Sequence, residues 1–167
     1  VVAFAETATA IGAVVSGFFH ACFQLTTTRE KLPDWAPAIS FEERHSHAKQ
    51  HFLCVRDEDA LRRASQVIFV DDEFTTGRTA VNLKNALDGC LAPGCGVFAA
   101  ALAASAESIE LLSGSGMTPV YLARLDDMTN RTIPDSFIPD RETQPRSAGE
   151  IRHINAIFDP RLGVISD

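Results

Sequence analysis

Apolar and polar positions in this chain fall into a repeating order. A short apolar run is followed by a polar turn, and then by a stretch with helical spacing. The clearest run is Val67-Ile68-Phe69-Val70, which contains no polar residue. A β-branched and aromatic run of this kind suits a central parallel strand covered on both faces. Asp71, Asp72 and Glu73 follow at its carboxyl end. Thr75, Thr76 and Gly77 then form a turn, and a helix is predicted over residues 79–91. Residues 1–4, 24–30, 96–104 and 119–125 read as further strands, and residues 106–113 as a short helix stopped by Gly114 and Gly116. Residues 10–22 are apolar nearly all round, which predicts a helix buried against the sheet. Strands alternating with helices predict an α/β fold: an open, mainly parallel sheet with helices on both faces and right-handed crossovers.

The pattern weakens in two places. Residues 32–50 show no clear period, and Pro33 and Pro37 break any helix there. A long loop in a compact domain is commonly an active-site cover. After Met128 come Pro134, Pro139, Pro145 and many charges, then a short stripe of Ile151, Ile154, Ile157 and Phe158. The expected division is a core over 1–127 and a C-terminal extension over 128–167. That extension reads as a covering element of the core, a hood over a site, or the start of a further domain. Val1 is already the first residue of a strand, so upstream residues are expected to be missing.

The chemistry concentrates after Val70. Adjacent carboxylates repel when buried together, so Asp71 and Asp72 are expected to face water, a cation or sugar hydroxyls. Ionised carboxylates only accept hydrogen bonds, and ribose hydroxyls donate them. Thr75, Thr76, Gly77 and Thr79 add hydroxyls and backbone N–H groups at a helix N-terminus, where phosphate is favoured. Gly77 permits positive φ and a close ligand approach. Arg78 either adds a phosphate contact or points to solvent.

In this order the residues from Val67 to Thr79 resemble the phosphoribosyl pyrophosphate (PRPP) motif of type I phosphoribosyltransferases. The resemblance extends over residues 1–127. Segments 6–9, 27–30 and 41–51 are similar to a bacterial subgroup of predicted phosphoribosyltransferases encoded near tellurite-resistance genes. It implies transfer of the 5-phosphoribosyl group from PRPP to a nitrogenous base or amine, with release of pyrophosphate. Asp71 and Asp72 would stabilise an oxocarbenium-like ribose and Arg29 would neutralise pyrophosphate. Glu6, Thr7, Ala8 and Thr9 would form the pyrophosphate loop, with Glu6 needing an intervening Mg²⁺ or an outward orientation. Glu73, Thr75, Thr76, Gly77, Arg78 and Thr79 would complete the PRPP site. Mg²⁺ is the implied cofactor, carried through PRPP with Asp71 and Asp72 as the nearest protein groups rather than held by protein ligands alone. Dimerisation is common in the family. The alternative is a non-catalytic domain that senses PRPP or a nucleotide.

Two groups keep several readings. Arg29 either contacts pyrophosphate or pairs with Glu30. His45 and His47 serve as cover residues beside Arg44 and Lys49, or His47 and His51 serve as zinc ligands at their i, i+4 spacing, or all three belong to a solvated polar segment. The formal net charge of −7 argues against a general nucleic-acid partner. No apolar stretch is long enough for a membrane span. The four cysteines lack C-x-x-C pairing, which suits reduced thiols and a cytoplasmic location.

Overall fold

The structure is a computed structural model and describes residues 1–30, 38–42, 50–55 and 57–125. Its elements in chain order are β1 (Val2–Ala3), α1 (Thr9–Ser16), β2 (Leu25–Thr28), β3 (Ala38–Glu42), β4 (Gln50–Cys54), α2 (Glu58–Arg63), β5 (Gln66–Phe74), α3 (Arg78–Leu87), β6 (Gly96–Ala104), α4 (Ala106–Gly114) and β7 (Thr118–Arg124). The seven strands form one sheet in the order β3-β4-β2-β1-β5-β6-β7. The pairs β2–β1, β1–β5, β5–β6 and β6–β7 are parallel. The β3–β4 hairpin adds two antiparallel pairings at the β2 edge. An open, mainly parallel sheet is therefore present, as the pattern predicts. From β1 the chain crosses to β2 on one side, and from β5 to β6 and β7 on the other. Right-handed crossovers in opposite directions place α1 on one face and α3 and α4 on the other.

The central strands are buried because both faces are covered. Phe69 on β5 is fully buried, next to Val2 on one side and Ala99 on the other. Phe4 sets its ring edge against Phe69 and Phe41, at 6.1 and 6.4 Å between centroids. Ala80, Leu83 and Leu87 of α3 are buried at helical spacing, which seats one stripe of that helix in the core.

Besides the unpredicted α2 and an α3 that ends at Leu87 rather than residue 91, three differences from the pattern's expectation stand out. The first is α1, which ends at Ser16 rather than reaching residue 22. Only its Ala8–Gly12 side is buried, while Val14 is 64% exposed and Phe18, just beyond the helix, is 81% exposed. Apolar composition predicts burial only where there is something to bury against, and no described element covers the outer side of α1. The second is the hairpin. Residues 32–50, read as unpatterned, contribute β3 and the first residue of β4. The alternation is real but disguised, because the buried positions of β4 are His51 and Leu53, and a histidine reads as polar. The third is β5, which extends to Phe74 and takes Asp71, Asp72 and Glu73 into the strand. Asp71, Glu73 and Phe74 stand in register with Ala101, Ala103 and Ala104, whose small side chains let the ladder continue. The C-terminal extension, residues 128–167, lies outside the described residues.

Gly12 is the tightest packing point of α1. A Cβ there would lie 2.5 Å from the Cβ of Ala3, which is itself fully buried. Alanine favours a helix over glycine by about 1 kcal/mol, whereas overpacking a core costs about 1–3 kcal/mol. The clash should win, so Gly12→Ala is expected to lower stability by about 1 kcal/mol in urea unfolding. An unchanged or raised midpoint would show that α1 is not seated against β1 as described.

Candidate functional site

β1 is only two residues long. Its last link to β5 is the hydrogen bond from the Phe4 N–H to the Val70 carbonyl, at 2.9 Å. The chain then leaves the sheet, and the Ala5 N–H turns to the Thr27 hydroxyl at 2.8 Å. β5 runs on for four more residues, held by β6 alone. The vacated side is a notch at the carboxyl ends of β1 and β5. It lies where the sheet reverses its winding direction, which is where open α/β sheets bind ligands.

A cleft of about 380 Å³ occupies this notch. It brings together Glu6 and Thr7 after β1, Arg29 after β2, Asp71, Asp72 and Glu73 on β5, and Thr79 on α3. The sequence reading named all seven. Phe4 and Ala5, which it does not name, also line the cleft, as does His51, which it offers only as a zinc ligand or a solvated residue. The signal for His51 was the register. Thr27 and Thr28 face Leu53 and Phe52, so His51 falls opposite Arg29, and cross-strand neighbours share a face. His51 is 1% exposed and its ring lies 5.4 Å from that of Phe41. It belongs to the strand β4. His45 and His47 lie outside the described residues.

The other predicted residues surround the cleft without lining it. Ala8 is fully buried, and its N–H is engaged by the Phe4 carbonyl at 3.2 Å. The Thr9 N–H reaches the Glu6 carbonyl at 3.4 Å. Among the described residues, the N–H groups of Glu6 and Thr7 have no acceptor, so they are the donors this loop offers. Thr75, Thr76 and Gly77 join β5 to α3. Gly77 adopts φ +71°, and α3 has no side-chain cap. Arg78 departs from the group. Its side chain lines a second cleft and stands 3.9 Å from Glu107.

Helix ends sort in the same way. α2 and α4 are capped by Asp57 and Ser105, which accept from the N–H groups of Ala60 and Ser108. α1 and α3, which start beside the notch, have no such cap. At α1 the N–H groups of Ala8 and Thr9 are taken by the carbonyls of Phe4 and Glu6, and at α3 the Arg78 N–H reaches the Thr76 hydroxyl at 3.5 Å, so what these starts present to the notch is their positive dipole ends.

The cleft itself carries four carboxylates against one arginine. Burial pushes the Asp72 carboxyl up, but the Thr7 hydroxyl, donating at 2.8 Å, and the N–H groups of Asp72 and Glu73 outweigh it and hold the group below the ordinary aspartate range. Asp72 is thus ionised at neutral pH. Its N–H also donates to Asp71 Oδ1 at 2.9 Å, which fixes the two carboxylates relative to each other. Among the described residues no three His, Cys, Asp or Glu side chains are grouped to hold a metal by themselves.

A model of the phosphoribosyl transferase family matches residues 1–111. The chain belongs to the phosphoribosyl transferase family. It is a phosphoribosyltransferase whose acceptor is open. No curated protein matches it. Its fold is similar to adenine phosphoribosyltransferase from Giardia lamblia complexed with 9-deazaadenine, at 15% identity and TM-score 0.58, over 74% of this chain and 67% of that one. The enzyme from Trypanosoma brucei, in complex with AMP, pyrophosphate and ribose-5-phosphate, matches at 13% identity and TM-score 0.58, over 92% and 67%. That from Thermoanaerobacter pseudethanolicus ATCC 33223 matches at 17% and 0.55, over 74% and 67%. The transferase therefore spans about two thirds of the length of these structures, and at such identities the likeness is one of fold.

The Thr7–Asp72 hydrogen bond stabilises the ionised carboxylate, so its contribution is present at neutral pH and is lost as the pH falls through the folded pKa of Asp72. Thr7→Val should raise that pKa towards the ordinary aspartate value, read by carbon NMR titration of the labelled carboxyl. An unshifted titration would show that the hydroxyl does not hold Asp72.

Proposed function

We propose that the transferase moves the 5-phosphoribosyl group of PRPP onto a nitrogenous base or amine and releases pyrophosphate. The observation that carries this reading is the notch between β1 and β5, where paired carboxylates face two uncapped helix starts. Asp71 and Asp72 accept hydrogen bonds from the ribose hydroxyls. The turn 75–77 and the first N–H groups of α3 receive the 5-phosphate. Arg29, the N–H groups of Glu6 and Thr7, and His51 opposite Arg29 border the pyrophosphate.

Charge then dictates the cofactor. A polyanion entering a cleft with four carboxylates and one arginine is repelled unless cations accompany it. Magnesium suits this donor set, since it binds through one or two carboxylates and substrate phosphates while keeping waters. When bound, it neutralises the leaving pyrophosphate. As the bond to the anomeric carbon lengthens, positive charge develops on the ribose, and the ionised Asp71 and Asp72 stabilise it electrostatically.

The finer assignments have narrower support. Segments 27–30 and 41–51 support the tellurite-resistance subgroup. Four free cysteines suit a reducing compartment, and we place the protein in the cytoplasm. The exposed Val14, Phe18 and Phe23 around α1 favour pairing of two copies. The acidic balance disfavours nucleic acid, and among the described residues no helix is long and apolar enough to cross a membrane. The core is taken as 1–127 and the extension as 128–167.

Titration calorimetry with PRPP and Mg²⁺ should show binding by the unmutated chain. The double variant Asp71→Asn/Asp72→Asn should bind about a hundred-fold more weakly, the worth of two charge-assisted hydrogen bonds. Equal affinity in the two proteins would remove PRPP from this cleft.

A further inference from the structure

Arg78 belongs by position to the phosphate motif, yet its side chain lines a cleft other than the one holding Asp71 and Asp72. This second cleft measures about 610 Å³, within the range that accommodates small organic ligands. Its floor is one stripe of α3, with Arg78, Val81, Asn82 and Asn85 at i, i+3, i+4 and i+7. The opposite stripe of the same helix, Ala80, Leu83 and Leu87, is buried in the core. β3 forms one wall and Leu111 of α4 contributes to the other.

The chemistry is graded along this stripe. The cation stands at the N-terminal end of α3, where the helix dipole also favours an anion. The two amides further along each carry both donors and an acceptor. Asn82 donates to the Glu42 carbonyl at 2.7 Å, which fixes its amide plane. Val81 and Leu111 supply apolar surface. Seven residues of helix separate Arg78 from Asn85, about 10 Å along the axis, comparable to the reach of a nucleotide from phosphate to base edge. The partner of Arg78, Glu107, is 3.9 Å away and both side chains are about half exposed or more. Such a pair is weak, so a phosphate taking two parallel N–H bonds displaces it readily.

We propose that this second cleft binds a nucleoside 5′-monophosphate. The phosphate lies on Arg78, the base edge on Asn85, and the ring against Val81 and Leu111. A molecule of this class is what phosphoribosyl transfer to a base produces, so its regulatory meaning rests on the function proposed above. Arg78 and Thr79 are adjacent in the first turn of α3 and line the two clefts separately. Bound product therefore acts on the same helix start that receives the 5-phosphate.

The test is titration calorimetry of the full chain carrying Asp71→Asn/Asp72→Asn, with AMP, GMP, UMP, CMP and ribose 5-phosphate in turn. Disabling the first cleft isolates the second. At least one nucleotide should bind, ribose 5-phosphate should bind more weakly, and adding Arg78→Gln should weaken the nucleotide by about ten- to a hundred-fold. Asn85 is exposed, so Asn85→Ala leaves the fold intact and should also weaken binding. If the double variant does not fold, the same comparison is made as the effect of Asn85→Ala in the unmutated chain. No nucleotide binding, or binding that Arg78→Gln and Asn85→Ala leave unchanged, overturns the proposal. Failure of the PRPP reading is seen separately, in the titration of the unmutated chain with PRPP and Mg²⁺.

Discussion

The early end of β1 is the constraint from which the site follows. A two-residue strand satisfies the backbone of β5 only as far as Val70. Beyond that point β5 keeps its partner on the β6 side and loses it on the other. Extended backbone with one open side, at the carboxyl end of a central strand, is where polar side chains can stand in a protein interior without being sealed from water. Asp71, Asp72 and Glu73 occupy that place. Had β1 been longer, the same acids would have been driven between packed strands, where like charges are expensive.

Electrostatics and backbone then act in opposition, and the opposition is informative. Asp71, Asp72 and Glu73 stand on β5, while the positive dipole ends of α1 and α3 start beside the notch. Asp57 and Ser105 cap the other two helices. In the proposed reaction the carboxylates are unsuited to meeting a polyanion alone, and a hard divalent cation would reconcile them with it. Thr7, in the loop after β1, ties that loop to β5 directly and helps hold Asp72 ionised.

α3 connects this cleft to the second one. Its buried stripe anchors the helix in the core, so its N-terminal turn is a rigid feature with two outward sides. Thr79 serves one side and Arg78 the other. Neighbours in sequence are thereby assigned to different surfaces by the 100° step of a helix, something a linear motif does not display.

Much of this was legible before any fold was known. The run 67–70, the acids after it and the Thr/Gly turn specify a parallel strand, a ligand end and a helix start by local chemistry alone. Asp71, Asp72 and Thr79 follow from that chemistry, whereas Glu6, Thr7, Arg29 and Glu73 follow from the family resemblance, and the strand predicted over 96–104 has the observed bounds. Tertiary structure decided what depends on neighbours distant in sequence. It extended β5 because alanines on β6 accept the ladder, and it made a buried strand residue of His51 by pairing β4 with β2. It left α1 half exposed because burial requires a covering surface and not apolar composition alone. It turned Arg78 away from its own motif, since a side chain's direction is set by the helix that carries it. Local sequence thus determined which chemistry the chain carries. Only packing between remote segments determined which of those groups share a cleft.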